Sequence, residues 1–182
     1  RFYNERRAQL AQVRPNAAHV AIASLEKDWD VIVVTQNVDN LHERAGSTHI
    51  IHLHGELTKV TSSRNPNSPR QIRELRPEEY EVKIGDKAED GSQLRPYIVW
   101  FGEAVPKIEQ AIDAVEAADV LLIVGTSLQV YPAAGLYRYA RPEIPIYIID
   151  PKDVPARDAR ITHIKDVATK GMEVFKKLLE ES

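Results

Sequence analysis

Residues 31–46 read VIVVTQNVDNLHERAG, and the organisation of the chain follows from this stretch. Its first five residues, VIVVT, are an apolar, β-branched run with the length of a buried strand. A strand that only fills a core ends in a short turn. Here Thr35, Gln36, Asn37, Asp39, Asn40 and His42 crowd into residues 35–42. In open α/β sheets, ligands bind at the carboxyl ends of the strands. The commonplace role for one Asp or Asn is to cap the helix that begins near Asn40. Capping does not account for Gln36 and Asn37 as well.

Outward from this stretch, strands and helices alternate. HIIHLHGE, YIVWF, DVLLIVGTS and PIYIID read as further strands. The first thirty residues read as two helices broken near Arg14-Pro15-Asn16, with Asn16 an N-cap. NLHERAG is a short helix closed by Gly46, residues 106–118 and YPAAGLYRYA are helical, and EVFKKLLEES closes the chain as an amphipathic helix. The apolar runs are continuous, as expected of parallel strands buried on both sides. The fold class is therefore α/β, a parallel sheet with helices on both faces. Residues 55–97 differ: they are polar and rich in Ser, Asn, Pro and charge, and SSRNPNSPR is a loop by composition. They are expected to form a small inserted module, with residues 1–54 and 98–182 making the main domain.

Composition narrows the function. The 182 residues are 43% hydrophobic and 28% charged, ordinary values for a globular protein. A net charge of −3 offers no electrostatic case for a nucleic acid or membrane partner. No apolar run approaches the roughly 20 residues of a transmembrane helix. There is no cysteine, which removes disulfides, thiolate catalysis and any Cys-based zinc site. It also suits a reducing, cytoplasmic setting. The first residue, Arg1, falls inside a predicted helix, so the chain reads as lacking its natural start.

Three further groups could carry chemistry. His52 and His54 are two apart on a strand and share one face, but no third His, Asp or Glu stands at motif-like spacing, which argues against a metal pair. His54 precedes Gly55, where a backbone or ligand can approach closely. An imidazole, with an ordinary pKa of about 6.5, suits general base work at neutral pH. Gly125-Thr126-Ser127 is a permissive turn with two hydroxyls at a strand end, without the full G-x-G-x-x-G fingerprint. Finally, the turn after Trp100 and Phe101 exposes backbone groups with which an extended peptide could pair.

Taken in order, TQNVDNLHERAG, LHGEL, VWFGEAVP and GTSLQVYPAA resemble the sirtuins, NAD-dependent protein-lysine deacylases with a Rossmann-like domain. The matches span residues 35–134. The resemblance implies that Gln36, Asn37 and Asp39 line the ribose and nicotinamide pocket, with Asn37 and Asp39 orienting the nicotinamide amide and an ordered water. It makes His54 the catalytic base. It places Gly125, Thr126 and Ser127 on NAD, Asp150 near the adenosine ribose and Ala168 in the adenine-side loop. Val99, Trp100, Phe101, Gly102, Glu103 and Val130 correspond to the walls between which an acyl-lysine peptide lies as an added strand. In the implied reaction, nicotinamide leaves the ribose and the acyl-lysine amide oxygen attacks C1′. His54 then draws a proton from the ribose hydroxyls, and water completes release of lysine and O-acyl-ADP-ribose.

The chain also departs from the family pattern. Most sirtuins carry two Cys-x-x-Cys pairs in the insertion; none is present here, so no zinc is expected. The module is expected to pack instead through Leu57, Ile72, Leu75, Tyr80, Val82 and Ile84. Asp150 stands where the family usually has Asn. The family's N-terminal GAG-I-S segment is not in this sequence, so the chain by itself is expected to be a poor catalyst. Tyr3 and Arg6, three apart on a helix, match the pair that contacts the acyl carboxylate in the desuccinylase and demalonylase branch. Guanidinium and phenol together suit a carboxylate. Succinyl- or malonyl-lysine is therefore the expected substrate, with deacetylation retained. Other readings stand beside this one: an NAD or ADP-ribose sensor without turnover, a mono-ADP-ribosyltransferase, or an unrelated α/β transferase or metallohydrolase using His52 and His54.

Overall fold

Val33–Thr35 (β1) and Ile50–His52 (β2) pair in parallel, Val33 opposite Ile50 and Thr35 opposite His52. A second parallel ladder joins Leu121–Val124 (β6), Ile146–Ile149 (β7) and Ile161–Ile164 (β8) in that order. The computed structural model describes residues 1–126, 128–156 and 158–181. Between the two ladders in sequence lies an antiparallel sheet of Gly55–Ser62 (β3), Arg73–Glu74 (β4) and Leu94–Ile98 (β5), ordered β4-β3-β5.

Period-two alternation along β6 and β7 sends side chains to two separate cores. Tyr147, Ile149 and Ile164 pack with Ala18, Met172 and Phe175, from the helices Ala17–Ser24 (α2) and Ala168–Glu180 (α5). On the other face, Ile146 meets Val115 of Ile108–Ala117 (α4), with Ala140 and Ile144. The helices therefore cover both faces, as expected. Packing under α5 is close: a Cβ on Gly171 would stand 2.2 Å from Ile149 Cγ2.

The predicted helix boundaries hold where capping chemistry sets them. Phe2–Leu10 (α1) ends before Pro15, and α2 starts from Asn16, whose Oδ1 accepts from Ala18 N at 2.9 Å and His19 N at 3.1 Å. Leu41–Ala45 (α3) ends at Gly46, with φ of 107°. YPAAGLYRYA forms a 3₁₀ helix, Ala133–Tyr139.

Other expectations need correction. YIVWF is not a strand of the parallel sheet: β5 stops at Ile98 and runs antiparallel to β3, leaving residues 99–101 as a loop. ITHI adds a strand, β8, that its Thr and His disguise, and α5 begins five residues before EVFKKLLEES. In the 55–97 stretch, Val60, Leu75 and Leu94 form the core, with Tyr80 and Val82 against it. Leu57 packs instead with Leu10 and Ile98, under α1, and Ile84 is fully exposed.

Arg7 is the buried cation of α1. Its side chain is buried, donating from Nε to Leu57 O at 2.7 Å and from Nη1 to Asn4 Oδ1 and Tyr80 O. Burial lowers its pKa, with the Tyr80 hydroxyl acting weakly the other way. The guanidinium thus ties α1 to the antiparallel sheet.

Candidate active site

The strand ends after β1, β2 and β6 come together. Gln36, one residue beyond β1, donates from Nε2 to Thr126 Oγ1, two beyond β6, at 3.4 Å. His54 lies two residues beyond β2, and its Nδ1 is 3.2 Å from the Gln36 carbonyl oxygen. A carbonyl only accepts, so Nδ1 carries the hydrogen and Nε2 keeps the basic lone pair. His54 is thereby oriented by the same residue that bridges to Thr126.

Gly55 explains why His54 sits where it does. Its φ is 86°, and a Cβ there would lie 2.1 Å from Tyr97 O. Glycine lets β3 turn tightly against β5. The His54 carbonyl then accepts from Val99 N at 2.9 Å, which attaches the 99–103 loop beside the imidazole.

The 36–40 loop is held from inside. Asn37 N donates to Thr35 Oγ1 at 3.0 Å, and the Asn37 side chain is exposed. Asp39 Oδ1 accepts from Leu41 N at 3.0 Å, so this carboxylate does cap α3, the commonplace role. Val38 O accepts from Leu57 N at 2.7 Å. Asp150 sits at the end of β7 and accepts from Lys152 N at 2.8 Å through Oδ1. Ala168 opens α5, and Gly125 follows β6 with its N–H on Ile149 O. Ser127 lies outside the described residues.

The expected substrate-side residues divide. Phe101, Trp100 and Val130 are exposed, and Gly102 lies beside them in the chain. Glu103 is committed internally: its carboxylate meets both terminal nitrogens of Arg95, at 2.7 and 3.0 Å, and accepts from Trp100 N at 2.9 Å. Those bonds, Arg95's first, hold its pKa down against the weaker opposing effect of burial. Arg95 also lies 3.6 Å from the centre of the Trp100 ring. This clasp, which sequence reading missed, shapes the 99–103 loop. Arg95 lies on β5 and Glu103 in the loop that follows it, so the periodicity of no single element pairs them.

Tyr3 and Arg6 do not share a partner. Tyr3 Oη accepts from Trp100 Nε1 at 2.9 Å, whereas Arg6 is exposed, donating to Gln9 Oε1 at 2.9 Å and lying 5.2 Å from the Phe2 ring centre.

His52 and His54 part company. His52 is buried, with Nε2 2.6 Å from Glu43 Oε1 and Nδ1 3.3 Å from Asn37 O. Donor atoms of Glu43, His52 and Glu56 lie within 4.8 Å of one another, two acidic partners that sequence spacing did not reveal. The distances favour a shared proton over a metal. Ligand atoms on a tetrahedral zinc with bonds of 2.0–2.1 Å stand about 3.3 Å apart, well beyond the His52–Glu43 separation. Glu56 also pairs with Lys59 at 2.8 Å. Burial opposes a charge on His52, but the Glu43 carboxylate, then Glu56, raises its pKa overall.

Known proteins resolve what this arrangement belongs to. The SIR2 (Sir2 family) pattern matches residues 1–132. The chain is 61% identical over 179 residues to an NAD-dependent protein deacylase of Bacteroides thetaiotaomicron, covering 98% of this chain and 76% of that protein. The chain belongs to the Sir2 family. An NAD-dependent protein deacylase of Helicobacter pylori (strain 26695) is 56% identical over 151 residues, 83% of this chain and 63% of that protein. The fold superposes on a Sir2 homologue–NAD complex with a TM-score of 0.82 at 35% identity, covering 98% of this chain and 70% of the other. A Sir2–p53 peptide–NAD+ structure matches with a TM-score of 0.74 at 30% identity, covering 96% of this chain and 74% of the other. This Sir2 chain therefore spans between about two thirds and three quarters of these relatives. Among the described residues, no helix is long and apolar enough to cross a membrane.

Proposed function

We propose that this Sir2 chain carries the catalytic core of an NAD-dependent protein-lysine deacylase. The observation that carries the reading is the Gln36 bridge, which links His54 on one side to Thr126 on the other. Two amides, a hydroxyl and an imidazole with an open Nε2 meet at strand carboxyl ends. That donor set suits a ribose and a carboxamide, and it fits NAD. Two of the compared Sir2 structures are NAD complexes, which supports the same cofactor.

Bound NAD supplies an electrophilic ribose carbon once nicotinamide departs. The chain's own residues hold and deprotonate what surrounds that carbon. Gln36, Asn37 and Asp39 would orient the nicotinamide end, a positioning role. Gly125, Thr126, Asp150 and Ala168 would hold the rest of the dinucleotide. His54 Nε2 would take a proton from a ribose hydroxyl. Val99, Trp100 and Phe101 would pair with the peptide backbone as an added strand opposite Val130, with Glu103 fixing the loop from behind. Residues 55–97 would form an inserted module that needs no zinc.

The finer reading is a preference for succinyl- or malonyl-lysine. Tyr3 already reaches the substrate-side loop through Trp100, and Arg6 lies one helical turn away with only a neutral partner. A carboxylate would draw Arg6 from Gln9, because charge-assisted bonds are stronger. The test is mass spectrometry of one peptide bearing acetyl- or succinyl-lysine, with and without NAD, using the full-length protein. NAD-dependent loss of either acyl group supports the reading. Binding of NAD without turnover would make the protein a sensor, and NAD-derived label on protein would make it an ADP-ribosyltransferase.

A further inference from the structure

Two histidines of the 52–54 stretch hold consecutive carbonyls of the cofactor-side loop: His54 Nδ1 faces Gln36 O at 3.2 Å, and His52 Nδ1 faces Asn37 O at 3.3 Å. Their second ring nitrogens differ. That of His52 is 2.6 Å from the Glu43 carboxylate. A carbonyl and a carboxylate both accept only, and a neutral imidazole has a single N–H. Both bonds form together only when the ring is doubly protonated.

We infer that His52 is a buried imidazolium that ties the Asn37 backbone to Glu43 and so sets the shape of the 36–39 loop for the nicotinamide end of NAD. His52 and Glu43 are thus positioning residues, and the inference rests on the deacylase reading. The surroundings agree. Glu43 of α3 and Glu56 at the start of β3 both favour the charge. His42, also on α3, is kept toward its neutral form, chiefly by burial and then by His19, so it offers His52 little repulsion. Lys59 and Lys107 lie on Glu56 at 2.8 and 4.0 Å and are drawn to that carboxylate. The sign follows from the raised His52 pKa. The clasp stands between the lowered Glu43 pKa and the raised His52 pKa: it is lost as pH rises through the latter, and again in acid as Glu43 takes up a proton.

The experiment joins two readouts on the full-length protein. Nitrogen NMR of the histidine rings reports their protonation without substrate, and calorimetry gives the Kd for NAD against pH. His52 is expected to carry both N–H groups at pH 7. Glu43→Ala, at an exposed position, should raise the Kd about tenfold, the size of one lost charge-assisted hydrogen bond. Glu43→Gln can turn its amide to donate to a neutral ring, so it should bind NAD nearly normally at pH 7 while His52 titrates at lower pH. A singly protonated His52 at pH 7 in the unmodified protein would overturn the inference. An unchanged Kd in a folded Glu43→Ala variant would do the same. So would inhibition by zinc ions that Glu43→Ala abolishes, since these atoms would then serve a cation. Absence of deacylation with the imidazolium and the Kd effect intact would sink only the deacylase reading.

Discussion

Tyr3 Oη accepts a hydrogen bond of 2.9 Å from the indole Nε1 of Trp100, across 97 positions of sequence. The bond joins the first helix to the loop that begins beside His54. Under the proposed deacylase reading, α1 would border the acyl chain, although neither end of the contact is near the other in the chain.

The proposed acyl preference is tested at Arg6. With Arg6→Met, desuccinylation should fall about 10–100-fold, the span expected for a lost hydrogen bond between charged groups. Deacetylation should stay within about threefold. Comparing kcat/KM for the two peptides checks it. Equal losses on both would return Arg6 to a solvated helix face.

His54→Ala should lower kcat by about 10²–10⁴, the usual reach of one general base. Its side chain is half-buried and held by the Gln36 carbonyl. NAD affinity should change little by calorimetry. A variant that keeps most of its turnover would remove His54 from proton transfer.

Arg7→Met tests the buried guanidinium. The substitution leaves Leu57 O and Tyr80 O without their donor beneath α1. The expected loss is about 2–4 kcal/mol, from one or two unpaired buried carbonyls. Urea unfolding measures it. Arg6→Met, on the exposed side of the same helix, should cost under about 0.5 kcal/mol.

The 55–97 stretch has a proton-dependent staple in Asp90. Its carboxylate accepts from Ser62 Oγ at 2.5 Å, from Ser92 Oγ at 2.6 Å and from Ser92 N at 3.0 Å. Ser62 Oγ in turn accepts from Arg64 N and Asn65 N, both at 3.0 Å, so two loops are pinned together. The hydroxyl bonds, Ser62's first, hold the Asp90 pKa far below its ordinary value. Because the folded value is depressed, the contribution is complete above the unfolded value of about 3.9 and disappears as pH falls through the folded one. Asp90→Asn should lower the thermal midpoint at pH 7 and flatten its decline in acid. Scanning calorimetry with and without a chelator checks both this and the zinc-free module. A chelator-induced drop would defeat the latter.

Legibility in the sequence tracked the range of the forces involved. β1, β2, β6 and β7 were visible because each strand's own apolar run encodes burial. Asn16 and Gly46 marked helix ends because capping acts within a turn. β8 was hidden because its burial comes from β7 and α5, not from its own Thr and His. YIVWF looked like a core strand because composition does not distinguish antiparallel pairing with β3 from a place in the parallel ladder.

The same division runs through the site. By itself the sequence determined the α/β class, the polar groups at strand ends and the motifs of the Sir2 family, since these depend on local residue identity. Only the tertiary structure decided that Gln36 bridges His54 and Thr126, that Arg95 and Glu103 clasp Trp100, that Arg7 is buried, and that Glu43 and Asn37 share His52. Each of these is a contact between segments distant in the chain or on different elements. Its partner is chosen by how sheets and helices pack, and the hydrogen-bonding needs of a buried group then fix the geometry.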